Sequence, residues 1–370
     1  MRKVSIKPQW TISDAGGDSL SPRLLELLAQ VHDHGSLSAA CRQSGASYRH
    51  AWNVVRQGEQ QIGASLLRME RGKGSTLTPL AEKLVWAGHR ISARLTPLLQ
   101  SLASELEVEI DRVMASEHDT LRVHASHGFA IEKLLDALVA AQVPVERRYV
   151  GSQEAVASLH GGACDLAGFH VPQGEFEARA FAHYARWLDA RNSRLIHLAS
   201  RRQGLIVAPG NPLKIYDVGD LARPGVRFVN RQRGAGTRFL LDCLLEQAGV
   251  DVARIAGYEQ GEYTHAAVAA YVASGMADVG FGVEPPARQF RLDFLPVASE
   301  RYFLLCNEAS LARPRLQTAL AILESAAFRD AVDQLPGYAA VHCGEVDTLQ
   351  QAFPLYASVK QRRTRRADVE

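Results

Sequence analysis

Residues 21–63 read SPRLLELLAQVHDHGSLSAACRQSGASYRHAWNVVRQGEQQIG, and their pattern predicts three short helices. Ser21, followed by a proline, is typical of a helix start, and the leucines behind it recur at helical spacing up to Gly35. Ser36 begins a second helix that stops at the next glycine, and Ser47 begins a third. Two helices, a glycine-containing turn and an amphipathic helix with polar residues outward form the pattern of a helix-turn-helix.

The third helix and the segment behind it carry local positive charge. Between residues 42 and 73 there are six Arg and Lys against two Glu, whereas the whole chain has a formal net charge of only +2. Residues 65–80, SLLRMERGKGSTLTPL, predict a strand, a basic tip and a second strand, which is a wing. The alternative is a three-helix bundle with a solvated charged surface. The expected DNA contacts are Ser47, Tyr48, Arg49, Asn53, Arg56, Arg71 and Lys73.

This region resembles the winged helix-turn-helix of molybdate-responsive regulators of the ModE type. The likeness rests on SYRHAW at 47–52 and on the wing text RGKGSTLTP at 71–79. LysR-type regulators share the scaffold more loosely. The resemblance covers about residues 5–90 and implies a transcription regulator that places residues 47–56 in the major groove of double-stranded DNA.

A long helical pattern begins at Thr78. Leucine, isoleucine and alanine recur every three or four residues as far as Leu106 and form an apolar stripe. Thr96 and Pro97 should kink or restart this helix, because proline lacks an amide donor and clashes with the preceding turn. The stripe could pack within its own core, but beside a DNA-binding domain we expect it to form a homodimer, since paired half-sites need two-fold symmetry. A tetramer stays open.

From Leu121 onward, short apolar strands alternate with helical segments, which predicts parallel sheets covered by helices. Ligands bind at the carboxyl ends of such strands, where helix N-termini present free amides. The first three strands end in small polar groups or histidine at 126–127, 151–152 and 168–170. We therefore expect these groups to face one crevice.

Residues 228–245, FVNRQRGAGTRFLLDCLL, contain a glycine-rich turn between a strand and a helix. A phosphate loop of the Walker type needs a lysine that is absent here, and the dinucleotide fingerprint needs a third glycine where Phe239 stands. What remains is a turn with Thr237 near the cap position and flanking guanidiniums, which suits a small anion. A tight turn with solvated arginines is the alternative.

The segments DLARPGVRFVNRQRGAGTRFLLD at 220–242 and GYEQGEYTHAAVAAYVASGMADVGFGV at 257–283 carry a second resemblance. They resemble the periplasmic-binding-protein-like domain found beside molybdenum-related regulators and molybdopterin-biosynthesis proteins. The resemblance implies two lobes joined by crossing segments, with lobe one at about 119–203 and 296–345. The family's acidic residue after the first strand is missing in ASHG at 125–128. The implied cleft contacts are Ser126, His127, Ser152, His170, Arg231, Gly234, Thr237, Thr264 and Glu284. We expect Glu284 to pair with an arginine or to orient a donor.

The predicted fold is multidomain, with an N-terminal all-α winged helix-turn-helix and a C-terminal two-lobed α/β periplasmic-binding-protein-like domain. The expected boundaries are 1–77 for the winged helix-turn-helix, 78–118 for the linker and dimerisation helix, 119–345 for the effector domain, and 346–370 for an extension with a basic tail.

The leading interpretation is a DNA-binding transcription regulator whose effector, by resemblance, is molybdate or tungstate. One alternative effector is formate or another small carboxylate, in control of a molybdenum-dependent formate dehydrogenase. Another alternative is a molybdenum-cofactor binding protein with little role for DNA. That reading needs an aromatic cleft, for which the obvious candidates are Phe129, Phe169 and Phe281.

An enzyme is disfavoured, and no cofactor is expected. Ser126 and His127 are adjacent, so their side chains diverge, and no GxSxG elbow is present. His124 and His127 fall on opposite faces of a strand, which makes a metal pair improbable. The first ten residues lack the apolar run of a signal peptide, and no window approaches about 18 apolar residues. Five scattered cysteines fit a reducing compartment, so we expect a cytoplasmic protein without membrane contact.

Overall fold

A computed structural model of the chain describes residues 3–13, 19–70, 74–114 and 120–354. They form two compact units: an N-terminal unit, Lys7–Thr96, and a C-terminal unit, Pro97–Glu370 together with Met1–Ile6. Within the described residues, no helix combines the length and the apolar character needed to span a bilayer.

The N-terminal unit is a winged helix-turn-helix, as predicted. Its elements are α1 Pro22–His34, α2 Leu37–Ser44, α3 Tyr48–Ile62, β1 Leu67–Glu70, β2 Gly74–Leu77 and the first half of α4 Pro79–Met114. The glycines that follow α1, α2 and α3 have φ of 80°, 68° and 74°, a left-handed conformation that suits glycine. The glycines at these positions therefore end the three helices.

Helices α1 and α3 pack against each other at very close range. Leu24 and Leu28 of α1 are fully buried, and Ala51 and Val55 of α3 join the same core. A Cβ atom added at Gly58 would overlap Leu24 Cδ2, so a larger residue at this position would displace the buried Leu24 side chain.

The wing is an antiparallel hairpin of β1 and β2, with Leu67 opposite Leu77 and Glu70 opposite Gly74. Its tip, which includes Arg71 and Lys73, lies outside the described residues.

Helix α4 runs without a break from Pro79 to Met114, so the fresh start predicted at Thr96 and Pro97 does not occur. Pro97 removes one amide donor, but the helical turns on both sides continue, and Thr96 Oγ1 donates to the Ser92 carbonyl oxygen at 2.7 Å. The boundary between the two compact units falls at Pro97. The separate linker domain at 78–118 stays a prediction.

The C-terminal unit begins with the second half of α4 and alternates strands with helices as expected. Its further elements are β3 Leu121–Ala125, α5 Phe129–Ala140, β4 Val145–Tyr149, α6 Ser152–His160, β5 Leu166–Pro172, α7 Glu177–Ala182, β6 Ser193–Val207, β7 Phe228–Arg231, α8 Gly236–Gln247, β8 Gly261–Glu262, α9 His265–Ala273, β9 Val279–Val283, α10 Glu284–Gln289, β10 Asp293–Asn307, α11 Pro314–Glu324, α12 Ala326–Asp333, β11 Tyr338–Ala339, β12 Val346–Thr348 and α13 Leu349–Ala352.

One mixed sheet joins these strands in the order β4-β3-β5-β10-β6-β9-β7-β8. The outer groups β4-β3-β5 and β9-β7-β8 are parallel, and each forms one lobe. The long strands β6 and β10 pair antiparallel and cross from one lobe to the other. Their register shifts between Pro296 and Ala298, opposite Gly204 and Gln203, close to the lobe boundary that the sequence predicted.

Apolar clusters cover both faces of the sheet in each lobe. Strands β5 and β9 are buried along their whole length, which explains why their sequences are mostly apolar. The five cysteines are buried and free, as expected for small apolar residues. The extension predicted at 346–370 begins as part of the fold, because β12 pairs with β6; residues 355–370 lie outside the described residues.

Candidate functional site

Helix α3 presents a polar face to solvent, as the sequence predicted. Ala51 and Val55 fill the buried face with exposures of 3% and 1%. The exposed residues include the predicted DNA contacts Ser47, Tyr48, Arg49, Asn53 and Arg56. Exposure is the condition that groove binding requires, and the contacts themselves stay predictions.

Aromatic side chains order the start of this face. The rings of Tyr48 and Trp52 stack with centroids 6.2 Å apart at 15°, and the Arg56 guanidinium lies 5.2 Å from the Trp52 ring. At the other end of α3, Glu59 Oε1 accepts a hydrogen bond of 2.8 Å from the backbone amide of Leu66. The helix is therefore tied directly to the start of the wing.

In the C-terminal unit, polar groups from three strand ends meet as expected. Ser126 Oγ lies 3.4 Å from Ser152 Oγ, and Ser152 Oγ lies 3.3 Å from His170 Nδ1. The Tyr302 hydroxyl donates to the Ser126 carbonyl oxygen at 3.4 Å. Because these groups come from the ends of β3, β4 and β5, the parallel order of the strands is what brings them together.

His170 is a buried, neutral imidazole. Burial holds its pKa well below the usual histidine value, and the nearby Arg201 and Arg231 lower it further. Its ring centroid lies 3.8 Å from that of Tyr302. Among the described residues, His170 Nε2 has no hydrogen-bond partner. This nitrogen can therefore donate to a ligand or accept from one.

The glycine-rich loop connects β7 to α8 opposite these strand ends. Gly234 has φ of 83°, a conformation that favours glycine, and α8 starts at Gly236 after the N-cap residue Ala235. No side chain caps this helix start. A Cβ atom at Gly151 would lie 3.7 Å from the Gly234 carbonyl oxygen, so the end of β4 and the loop approach closely.

Arg231, at the end of β7, is 6% exposed and only partly bonded. Its Nε donates to the Glu262 carbonyl oxygen at 3.1 Å, and its Nη2 donates to the Tyr263 carbonyl oxygen at 2.9 Å. Its Nη1 has no hydrogen-bond partner among the described residues. Burial and the nearby Arg201 lower its pKa to about 9, against the opposing effect of Glu300 and Glu262. An anion beside Nη1 would stabilise the charged form of this buried guanidinium.

A buried polar cluster at the crossing strands was missed by the sequence analysis. Glu300 of β10 pairs with Arg201 of β6, and the two side chains are 1% and 4% exposed. Gln203 Nε2 donates to Glu300 Oε1 at 2.9 Å and to Thr237 Oγ1 at 3.0 Å. Thr237 is thus a buried acceptor in the first turn of α8, two residues after the N-cap Ala235 and so near the cap position, as predicted.

A cavity of about 410 Å³ lies against these groups. The predicted residues Ser152, His170 and Gly234 line it, together with Glu300. The wall also holds residues that the sequence analysis did not select, namely Tyr184, Arg233, Arg238, Phe239, Asp242, Tyr258 and Glu259. Arg233 and Arg238 both pair with Glu259, so the flanking guanidiniums are already neutralised in part.

Other predicted residues do not line this cavity, and two of them are bonded within their own elements. His127 pairs with Glu132 and packs edge-on against Tyr149 at 5.0 Å. Thr264 caps α9 by accepting from the Ala267 amide at 2.9 Å. The remaining predicted residues that do not line it are Ser126, Arg231, Thr237 and Glu284.

Glu284 forms ion pairs with Arg202 at 2.7 Å and with Arg288 at 2.8 Å. The expected arginine pairing is therefore present, Glu284 does not line the cavity, and its contact with a ligand stays a prediction.

The sequence does contain a signal for the buried polar cluster around Glu300 and Arg201. Charged residues interrupt two otherwise apolar strands, as in ASRRQGLIV at 199–207 and VASERYFLL at 297–305. A charge that is buried in a strand needs a partner. The pairing of Glu300 with Arg201 depends on strand register, which the sequence did not provide.

Comparison with known proteins gives two curated relatives of note. YvgK of Bacillus subtilis, an uncharacterized protein, is 32% identical over 54% of this chain and 64% of its own length. The molybdenum-pterin-binding protein MopB of Rhodobacter capsulatus is 27% identical over 42% of this chain and 66% of its own length. In both cases the chain spans slightly less than two thirds of the relative.

Among solved structures, the hydrogen-peroxide-bound OxyR of Corynebacterium glutamicum is 15% identical and aligns over 85% of this chain and 94% of its own, with a TM-score of 0.42. A TM-score of this size supports no inference about function.

Two family models match the two parts of the chain. Residues 22–82 match the bacterial regulatory helix-turn-helix proteins of the lysR family, and residues 136–324 match the PBP superfamily domain. The ModE-like part of the resemblance is a weaker addition to this match. The helix-turn-helix match is confined to the N-terminal part of the chain. The chain therefore belongs to the PBP superfamily and carries that domain behind a LysR-type helix-turn-helix.

Proposed function

We propose that the protein is a cytoplasmic, homodimeric transcription regulator that binds operator DNA through α3 and responds to a small anion at the strand ends of the C-terminal unit. There His170 lines the cavity, and Arg231 directly precedes the glycine-rich loop that lines it. Molybdate or tungstate is the leading effector. The anion favours one arrangement of the two DNA-binding units of a dimer over another, to the extent that it binds that arrangement more tightly.

The observation that carries the anion proposal is a pair of unsatisfied buried nitrogen atoms at the strand ends, a guanidinium donor and an imidazole nitrogen that can donate to a ligand. Arg231 Nη1 and His170 Nε2 lack hydrogen-bond partners among the described residues. Buried polar groups are normally satisfied, and a buried guanidinium favours a negative counter-charge. The Ser152 hydroxyl and the uncapped amides at the start of α8 add neutral donors to the same region.

The choice of molybdate or tungstate rests on likeness and not on geometry. The MopB match and the resemblance to molybdenum-related regulators favour it. Formate or another small carboxylate remains the rival small anion, because the same donors would bind a carboxylate.

A molybdenum-cofactor binder is the second candidate, and the cavity wall supports it. A volume of about 410 Å³ lies in the range of roughly 300–1,000 Å³ found for drug-sized ligands. Tyr184, Phe239 and Tyr258 provide aromatic surface there, in place of the three phenylalanines that the sequence suggested. Of those, Phe169 and Phe281 are fully buried core residues.

The test is a thermal-unfolding panel of the full chain with molybdate, tungstate, sulfate, formate and buffer. A ligand at a hundred times its dissociation constant should stabilise by about 2.7 kcal/mol. Selective stabilisation by molybdate and tungstate supports the proposal, and a shift with formate alone makes the protein a carboxylate sensor. No shift with any anion contradicts the small-anion proposal and favours the larger ligand.

Two variants test whether the strand ends of the C-terminal unit bind the anion. We expect Arg231→Gln to abolish the ligand-induced shift and Ser152→Ala to reduce it while leaving the fold intact. The control is Arg254→Gln, which removes an exposed arginine outside the cavity wall and should keep the full shift. An unchanged shift in both the Arg231 and the Ser152 variant would place the anion elsewhere.

Exposed leucines on α4 support the dimer. In the C-terminal unit, Leu98, Leu102 and Leu106 are 57%, 40% and 42% exposed and are spaced by four along the helix. Apolar residues at this spacing share one helical face, which a second copy of the helix would cover.

For DNA binding, we expect Arg49→Ala to weaken the complex by about 1–3 kcal/mol, because an exposed arginine on the recognition helix contacts a base edge or a phosphate. The measurement is a gel-shift titration with a duplex selected by the protein from a random library. Arg254→Ala removes the same charge from the C-terminal unit and serves as control. Equal affinity of the Arg49 variant and the unmodified chain would move the DNA contacts away from α3.

A further inference from the structure

The last turn of α1 and the side of α4 bring three metal-binding side chains together in the N-terminal unit. His32, Asp33 and His89 each offer one ligand atom, and these atoms all lie within 4.8 Å of one another. His32 Nδ1 is 3.1 Å from Asp33 Oδ1, and the two imidazole centroids are 6.0 Å apart. We propose that these three residues form a binding site for a divalent transition-metal ion of the zinc class.

The donor set matches this class of ion. Two imidazoles and one carboxylate suit Zn²⁺, Co²⁺, Ni²⁺ or Fe²⁺, whereas Ca²⁺ and Mg²⁺ prefer sites made of oxygen alone. Ligand atoms around a tetrahedral ion stand roughly 3.3 Å apart, at bond lengths of about 2.0–2.1 Å. The side chains of His32 and Asp33 are 28% and 57% exposed, so they can rotate the short distance needed to close on an ion.

The surroundings orient the imidazoles and leave an entry path. The Trp86 ring packs edge-on against His32 at 5.2 Å and lies 5.4 Å from His89, so it forms a wall beside both rings. Residues that fix the orientation of ligating histidines raise the affinity of metal sites. The solvent-exposed Asp33 marks the open side, where an ion can enter and where water can complete the coordination.

The ion would join α1 to α4, two helices that are distant in sequence. Because the unfolded chain does not hold the three ligands together, the ion binds the folded N-terminal unit preferentially and stabilises it. The site lies in a different compact unit from the anion cleft, so it stands independently of the effector assignment.

The test is a titration of the metal-free full chain with Co²⁺, followed by the visible d–d absorption of the ion and by displacement with Zn²⁺. The unmodified protein should give tetrahedral or five-coordinate absorption that saturates at a single ion per chain. We expect His89→Gln and Asp33→Asn to weaken Co²⁺ binding by about tenfold or more. Asp33 lies on the surface, so its variant keeps the fold and separates loss of the site from loss of structure.

His34→Gln is the matched control, because His34 is an exposed histidine in the same last turn of α1 and is not one of the three ligands. It should bind Co²⁺ as the unmodified chain does. Zn²⁺ should also raise the unfolding midpoint of the unmodified chain and of the control, and not that of the two site variants. The proposal is overturned if the unmodified chain shows no such absorption, or if the site variants bind Co²⁺ as tightly as the control.

Discussion

Replacement of Glu300 with glutamine should lower the free energy of unfolding of the C-terminal unit by about 3–5 kcal/mol. Glutamine keeps the volume of the side chain but removes the charge that compensates Arg201. Both side chains are almost fully buried, so water cannot screen the guanidinium that remains. The measurement is urea denaturation of the full chain at pH 7, followed by a probe of the C-terminal unit.

A second Arg–Glu pair in the same unit provides the control. Arg194 and Glu308 also form an ion pair, but the Glu308 side chain is 58% exposed. Exposed pairs contribute about 0–1 kcal/mol, so Glu308→Gln should change the stability very little. The double variant Arg201→Met with Glu300→Gln should recover part of the loss, because no uncompensated charge is left. If Glu300→Gln and Glu308→Gln had similar free energies of unfolding, burial of the Arg201–Glu300 pair would not contribute to stability.

Lowering the pH from about 7 to 5 should destabilise the C-terminal unit before most carboxylates titrate. Burial, with added repulsion from Arg148 and Arg122, lowers the pKa of His124 from 6.5 to about 4. Below pH 6.5 the unfolded chain binds a proton at this residue that the folded chain does not, so stability falls as the pH falls towards 4. At pH 5 the contribution of His124 is about 2 kcal/mol. The buried His170 and His265, whose pKa values are also well below 6.5, act in the same direction.

The comparison of unfolding free energies at pH 7 and pH 5 measures this effect. His124→Leu should reduce the difference by about 2 kcal/mol, since the titrating group is gone. His50→Leu is the control, because His50 is exposed and loses little hydration on folding. If the His124 variant loses as much stability on acidification as the unmodified chain, His124 does not remain neutral in the folded protein.

Much of the helix-turn-helix could be predicted because its signals are local. Ser36 accepts from the Ala39 amide as an N-cap, and glycines with positive φ end each of the first three helices. These features act over a few residues, so the sequence pattern contains them directly. The proline in α4 shows the limit of such rules, because a long helix tolerates the loss of one amide hydrogen bond when both flanking segments are helical.

Three of the nine predicted cleft residues line the cavity, and they followed from the same kind of local evidence. Ser152, His170 and Gly234 line the cavity because strand ends and helix starts of parallel units meet at one edge of the sheet. Thr264 and Glu284 also follow strands, yet one became a helix cap and the other paired with arginines. Position after a strand indicates the edge of the sheet, but it does not indicate which side chain turns towards the cavity.

By itself, the sequence determined the order of the helices and strands, the wing, the α/β class of the second domain and the strand ends that converge on the cleft, while the two lobes were implied by a family resemblance. Only the tertiary structure decided which charges are buried together. Arg201 and Glu300 are 99 residues apart, and they pair because β6 and β10 cross the lobes in one particular register. The His32, Asp33 and His89 cluster likewise depends on the packing of α1 against α4. Periodicity records which face of an element is buried, whereas contacts between distant elements depend on register and packing that no local pattern records.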